Sequence, residues 1–258
     1  MADSSPAGLA LVTQGLSKRF GALEVVSNVN LSLGNGVRHA LIGPNGAGKT
    51  TLINLITGRY EPSSGRIFLR GDDVTSLSVH QRVHRGLART FQLNTLLRSM
   101  TVLENVQLAV LEQMGVGWKI FGGSDSQRIA AETAYEVLRQ LRMEDQAGRQ
   151  IKELAYGRQR LVEIAIALAL KPSLLLLDEP AAGVPPADSH LVFDTLAALP
   201  ADISLLIVEH DMKLVFRFAD RVSVLVQGKV ICEGTPSEIS QNEMVRRVYL
   251  GSRGHLHA

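Results

Sequence analysis

Gly43-Pro44-Asn45-Gly46-Ala47-Gly48-Lys49-Thr50 is a glycine-rich run that closes on a lysine and a hydroxyl. It follows a short apolar stretch, residues 37–42, that reads as a strand, and it leads into residues 49–57, which read as a helix. In that strand–loop–helix context the G-x-x-x-x-G-K-[ST] spacing is chemistry for phosphate. Glycines let backbone N–H groups turn toward phosphate oxygens with no Cβ in the way. The helix N-terminus adds the positive end of its dipole. Lys49 is placed to reach the β- and γ-phosphates, Thr50 to set a hydroxyl on Mg²⁺, and Thr51 to donate to the α-phosphate.

A second group lies far down the chain. Leu174-Leu175-Leu176-Leu177-Asp178-Glu179-Pro180 is four leucines followed by two carboxylates. Four successive leucines fit a strand buried on both faces. Carboxylates at the carboxyl end of such a strand emerge where open α/β sheets bind ligands. Asp178 can hold Mg²⁺ through water, and Glu179 can accept a proton from the water attacking a γ-phosphate. Ile207-Val208-Glu209-His210 repeats the logic one strand later, with the His210 imidazole able to contact the γ-phosphate. His39, His80, His84, His190, His255 and His257 read as ordinary surface histidines.

These residues need a sheet to carry them. Residues 9–15 and 23–33 read as strands of an antiparallel sheet, and 66–69 as a strand behind the turn at 61–65. The helices over 158–170 and 187–199 alternate with strands over 174–177 and 203–208. A strand pair over 221–226 and 229–233 closes the pattern around Gln227-Gly228. Such alternation predicts a mainly parallel sheet with helices on both faces. A helical stretch from residue 101 to about 152 interrupts it, opened by a capping box between Thr101 and Glu104. Within that stretch a helix over 126–141 carries an expected apolar stripe of Ile129, Ala134, Val137 and Leu141. It reads as an inserted lobe.

Composition narrows the class. A chain of 258 residues buries a sizeable core without disulfides or a structural metal. Net charge is +2, from 27 basic and 25 acidic residues, with no basic stripe of the kind a nucleic-acid binder shows. Arg82, Arg85 and Arg89 read as a solvated or docking face. Cys232 is the only cysteine, so an internal disulfide is excluded and a reducing compartment is expected. Residues 1–8 lack the features of a signal peptide. The most apolar region, 161–177, is broken by Glu163, Lys171 and Pro172, short of the roughly 20 apolar residues a span requires. Work at a membrane would have to go through partner proteins.

Taken together, the phosphate loop, Asp178-Glu179-Pro180, the glutamine of Thr90-Phe91-Gln92 and the histidine of Val208-Glu209-His210 resemble the ATP-binding-cassette family, the ATPase subunits of transporters. The family signature, usually Leu-Ser-Gly-Gly-Gln, stands here as Leu154-Ala155-Tyr156-Gly157-Arg158. The resemblance implies a single domain over 1–258 with a P-loop NTPase, RecA-like core. The core and an N-terminal antiparallel β-subdomain would take 8–95 and 155–234, the inserted helical subdomain 96–154, and a helical tail 235–258. It implies ATP and Mg²⁺ as cofactors, with Gln92 joining Thr50 and Asp178 at the metal and Glu179, His210, Lys49 and Gln92 in catalysis. Phe20 matches the aromatic that stacks on adenine, worth about 1–3 kcal/mol.

The family's signature completes the partner's site, so a head-to-tail homo- or heterodimer is implied. Ala155 lacks the serine hydroxyl, which weakens that clamp by about 1 kcal/mol. Pro185 stands where members often carry an aspartate. The runs at 86–92, 100–106, 154–157, 178–183 and 248–251 are similar to the branched-chain amino-acid importer ATPases; amide and urea importers look alike at this level. That resemblance implies two transmembrane permeases, an extracytoplasmic solute-binding protein acting indirectly, no nucleic acid, and a peripheral place on the cytoplasmic face of the inner membrane. A lipid or lipopolysaccharide exporter ATPase and a non-transport cassette are the alternatives.

Overall fold

The computed structural model describes residues 8–90, 96–116 and 124–250. Strands β1 (Leu9–Phe20) and β2 (Leu23–Gly34) pair antiparallel around Gly21-Ala22, and β1 also pairs with β4 (Ser64–Leu69), which carries the short β5 (Asp72–Asp73). The second sheet holds β3 (Arg38–Ile42), β6 (Leu87–Arg89), β7 (Leu174–Asp178), β8 (Ser204–Val208), β9 (Arg221–Val226) and β10 (Lys229–Gly234). Its order is β10-β9-β3-β8-β7-β6, parallel except for β10.

Strand alternation builds two cores from one sheet. Leu175, Leu177, Leu205 and Ile207 face a cluster shared with the helices α3 (Val102–Gln113), α5 (Tyr156–Ala169) and α6 (Pro186–Ala197). Leu174, Leu176, Leu206 and Val208 face the antiparallel sheet and α1 (Lys49–Ile56). The period of two explains why four leucines in a row are all buried. Shorter helices α2 (Val79–Val83), α7 (Met212–Phe218), α8 (Pro236–Gln241) and α9 (Glu243–Leu250) complete the described chain with α4 (Ser124–Gln140).

The capping box at Thr101 forms as its spacing predicts: Thr101 accepts from the Glu104 N–H, and the Glu104 carboxylate accepts from Thr101. The apolar stripe of α4 is shifted, however. Ala130, Ala134, Val137, Leu138 and Leu141 are buried against α3, while Ile129 is 44% exposed. One residue turns a helix by about 100°, so a face built on 130, 134, 137 and 141 leaves 129 on its flank.

Two further expectations are corrected. Arg82 is not a solvated residue: it is 1% exposed and donates to the carbonyls of Leu55, Ile56, Leu77 and Thr75. Its guanidinium serves carbonyls at the end of α1, with burial lowering its pKa to about 10. His39 is also buried, at 1% exposure. Its Nε2 lies 2.8 Å from the Ser223 hydroxyl, which itself donates to Glu233. The hydroxyl proton being committed, the imidazole Nε2–H is the donor.

Burial pushes His39 down to about 4, against a pull upward from Glu233. The folded protein therefore holds this ring neutral while an unfolded chain takes up a proton near 6.5. Its stabilisation is complete above pH 6.5 and is lost as pH falls toward 4, about 3 kcal/mol in all. Urea unfolding at pH 7, 5.5 and 4.5 should show that slope, and His39→Gln, which keeps a donor for Ser223, should flatten it. Equal slopes in both proteins would remove His39 from the account.

Candidate active site

The glycine-rich loop of residues 43–48 runs from the tip of β3 into α1. Gly48, at φ 101°, is the N-cap of α1, and a Cβ there would meet the Val25 carbonyl at 2.7 Å. The β9–β10 turn braces the loop from the other side. Gly228 N–H donates to the Ala47 carbonyl, and Ser27 N–H donates to the Gly228 carbonyl. A Cβ on Gly228 would stand 2.4 Å from the Val25 carbonyl, so that turn glycine is a support of the loop as well as a hairpin residue. Asn45, Gly46 and Thr50 are exposed at the mouth, and Thr51 is half-buried. Lys49 is 9% exposed and its Nζ donates to the Gly43 and Pro44 carbonyls at 2.7 and 3.0 Å. Burial lowers its pKa, while Glu179 and Asp178 pull it back up.

Because β3, β8 and β7 are parallel neighbours, their carboxyl ends lie on one edge. Asp178 ends β7, and one of its oxygens takes an Arg89 Nη2–H at 2.8 Å. The other arm of Arg89 reaches the Asn54 side-chain oxygen on α1, also at 2.8 Å. Arg89 thus faces into the site, contrary to its reading as a docking residue. The reason is that β6 runs beside β7, which points its last side chain toward the β7 tip.

Glu179 has a positive φ of 49°, a conformation that costs a non-glycine residue about 1 kcal/mol or more. Its N–H donates to the Val208 carbonyl and its carbonyl accepts from Ala182 N–H, both at 2.9 Å, which hold the turn in place. His210 lies across from it, Nδ1 to carboxylate oxygen 3.8 Å. Glu209 has no role in the sequence reading, yet it is 1% exposed and accepts from the Ala181 and His210 N–H groups. Burial raises its pKa and those N–H groups lower it. It ties the turn after Glu179 to the turn carrying His210. The signal was a carboxylate placed directly after five buried strand residues.

The segment Leu154-Ala155-Tyr156-Gly157-Arg158 forms the start of α5, with Ala155 as an N-cap that makes no side-chain capping bond. Gly157 is buried in the first turn. Gln159 closes on the Leu154 carbonyl at 2.8 Å, and Arg158 reaches the Arg142 carbonyl and the Met143 sulfur. The Tyr156 hydroxyl and Arg160 both donate to the Ala182 carbonyl at 3.3 Å. The start of α5 therefore grips the loop that follows Glu179 in the same chain. Phe20 is 44% exposed, edge-on to Tyr60 at 5.5 Å and with the Lys18 ammonium 5.2 Å from its ring. Gln92 lies outside the described residues.

This arrangement has recognisable relatives. Residues 26–182 match the family model described as "ABC transporter", and residues 229–255 match "Branched-chain amino acid ATP-binding cassette transporter". The chain is 41% identical over 250 residues to the high-affinity branched-chain amino acid transport ATP-binding protein LivG of Escherichia coli (strain K12), covering 93% of this chain and 97% of that one. It is 38% identical over 248 residues to BraF, the corresponding protein by name of Pseudomonas aeruginosa, with the same coverage. Among solved structures, the ADP conformation of an ATP-binding cassette of an ABC transporter superposes with a TM-score of 0.82 at 31% identity, over 94% of this chain and 99% of that one.

Proposed function

The chain belongs to the ABC transporter family of ATP-binding cassettes, ATPases by family, and we propose that it powers the uptake of branched-chain amino acids. The observation that carries the site is the strand order β3-β8-β7, which sets the phosphate loop, His210 and the Asp178-Glu179 pair side by side on one sheet edge. In this reading residues 43–51 cradle the phosphates through backbone N–H groups, and Phe20 stacks on the base. Lys49 gives up its carbonyl partners for the β- and γ-phosphates. Glu179 takes the proton of the attacking water, and His210 orients at the γ-phosphate.

The donor set fits a hard divalent cation. Asp178 offers a carboxylate oxygen and Thr50 an exposed hydroxyl, all-oxygen ligands of the kind Mg²⁺ takes alongside nucleotide phosphates. Bound Mg²⁺ supplies neutralisation of the charge on the β- and γ-phosphate oxygens. By the family resemblance Gln92 joins the same group.

The working unit in this proposal is a head-to-tail dimer with a second ATPase subunit, docked through the helical segment 96–154 on two permeases. A solute-binding protein outside the membrane acts through those permeases. No described helix is long and apolar enough to cross a membrane. By family resemblance the subunit would sit at the inner face of the membrane, held by its permeases. The test is ATP turnover in the complex reassembled with its permeases and binding protein. Stimulation by leucine, isoleucine or valine is the expected result. Stimulation by amides or urea alone would overturn the amino-acid reading and leave the ATPase standing.

A further inference from the structure

We infer that Arg89 is a positioning residue for the metal-facing carboxylate, fixing Asp178 against the phosphate-loop helix so that one carboxylate oxygen stays available to the cation. This rests on the reading of Asp178 and Thr50 as the magnesium end of the site. The geometry is a fork with two acceptors: Nη2 on Asp178 and Nη1 on Asn54, each at 2.8 Å. Asn54 is 7% exposed and sits on α1, the helix that begins with Lys49 and Thr50. Three elements are therefore joined at one guanidinium: α1, which carries the phosphate cradle, β6, which carries Arg89, and β7, which ends in Asp178.

The pair is largely shielded, with side-chain exposures of 16% and 23%. Solvent screening, which makes most surface pairs weak, acts less here. A planar guanidinium reaches both acceptors from one rigid group, which an ammonium at the end of a flexible stem cannot do. Arg89 takes one Asp178 oxygen; the other has no side-chain or backbone donor among the described residues. The charges around it explain why such a brace is needed. Asp178 is followed directly by a second carboxylate, Glu179, and the site receives a triphosphate. Like charges push the Asp178 carboxylate away from its working position. Partners that orient a ligating group commonly change metal affinity by about 10- to 100-fold when removed.

The experiment separates the metal from the nucleotide. Full-length protein is titrated with N-methylanthraniloyl-ATP in EDTA, and Mg²⁺ is then titrated into the complex, with thermal melts run alongside. Arg89→Leu should raise the half-saturating Mg²⁺ concentration about tenfold and leave metal-free nucleotide affinity within about threefold. Arg89→Lys, which keeps the charge but cannot serve both acceptors, should fall between. Asn54→Ala should move it the same way by less, and these two milder variants decide the matter if Arg89→Leu does not fold. An unchanged Mg²⁺ midpoint in the folded variants overturns the inference and leaves Arg89 a staple of β6. Equal loss of metal-free and metal-loaded affinity also overturns it. Wild-type protein that takes up no nucleotide sinks the site reading as a whole, a failure distinct from that of Arg89.

Discussion

Glu179→Gln should bind ATP normally and turn it over more slowly by roughly 10²- to 10⁴-fold, the range expected on losing a general base. The substitution is isosteric and uncharged, so it removes proton acceptance and little else. The backbone around it is held by Val208 and Ala182, not by the carboxylate. Position 179 has a positive φ, and glutamine meets the same strain there as glutamate. With ATP bound and hydrolysis blocked, the closed head-to-tail pair should accumulate. Size-exclusion chromatography in ATP, with and without magnesium, reads the dimer, and phosphate release reads the chemistry. Turnover at the wild-type rate would take Glu179 out of its role, and a persistent monomer in ATP would count against a head-to-tail pair of two copies.

The second large effect is at Lys49. Lys49→Met keeps the length of the side chain and removes its charge. Turnover should drop by roughly 10²- to 10³-fold, as when one preorganised charge or donor is taken from a developing oxyanion. Nucleotide affinity should weaken as well, because the lysine acts on ground-state phosphates too. Stability should change little. Lys49 is nearly buried and its charge is opposed by desolvation, so an apolar side chain of similar shape offsets the two lost carbonyl contacts. Isothermal titration with ATP and a thermal melt on the same sample separate the two effects. A folded variant with full activity would show that the backbone cradle suffices without the ammonium.

Lys49 and Glu179 are legible from their own neighbours: eight residues of phosphate loop, and a carboxylate pair behind four leucines. The role of Glu209 needed the fold. Read along the chain it is one polar residue beside His210; in the structure its two oxygens bind Ala181, 28 residues away, and His210 itself. Tyr156 is similar. Nothing in its local sequence gives it a partner, and the structure shows its hydroxyl on the Ala182 carbonyl.

What the sequence determined by itself was every feature set by short-range chemistry. The glycine-rich loop between β3 and α1, the buried leucine strand and its acidic tip, the Thr101–Glu104 cap and the alternation that makes a parallel sheet all follow from residues within a turn or a strand of one another. What only the tertiary structure decided was the environment of the charged and ionisable groups. Arg82, His39 and Arg89 read as surface residues from local polarity, and each is spoken for by acceptors 27, 184 and 89 positions away. A charge can be buried only where distant backbone or side chains supply its hydrogen bonds. Those partners are brought together by the crossing of helices and strands, which no local spacing records.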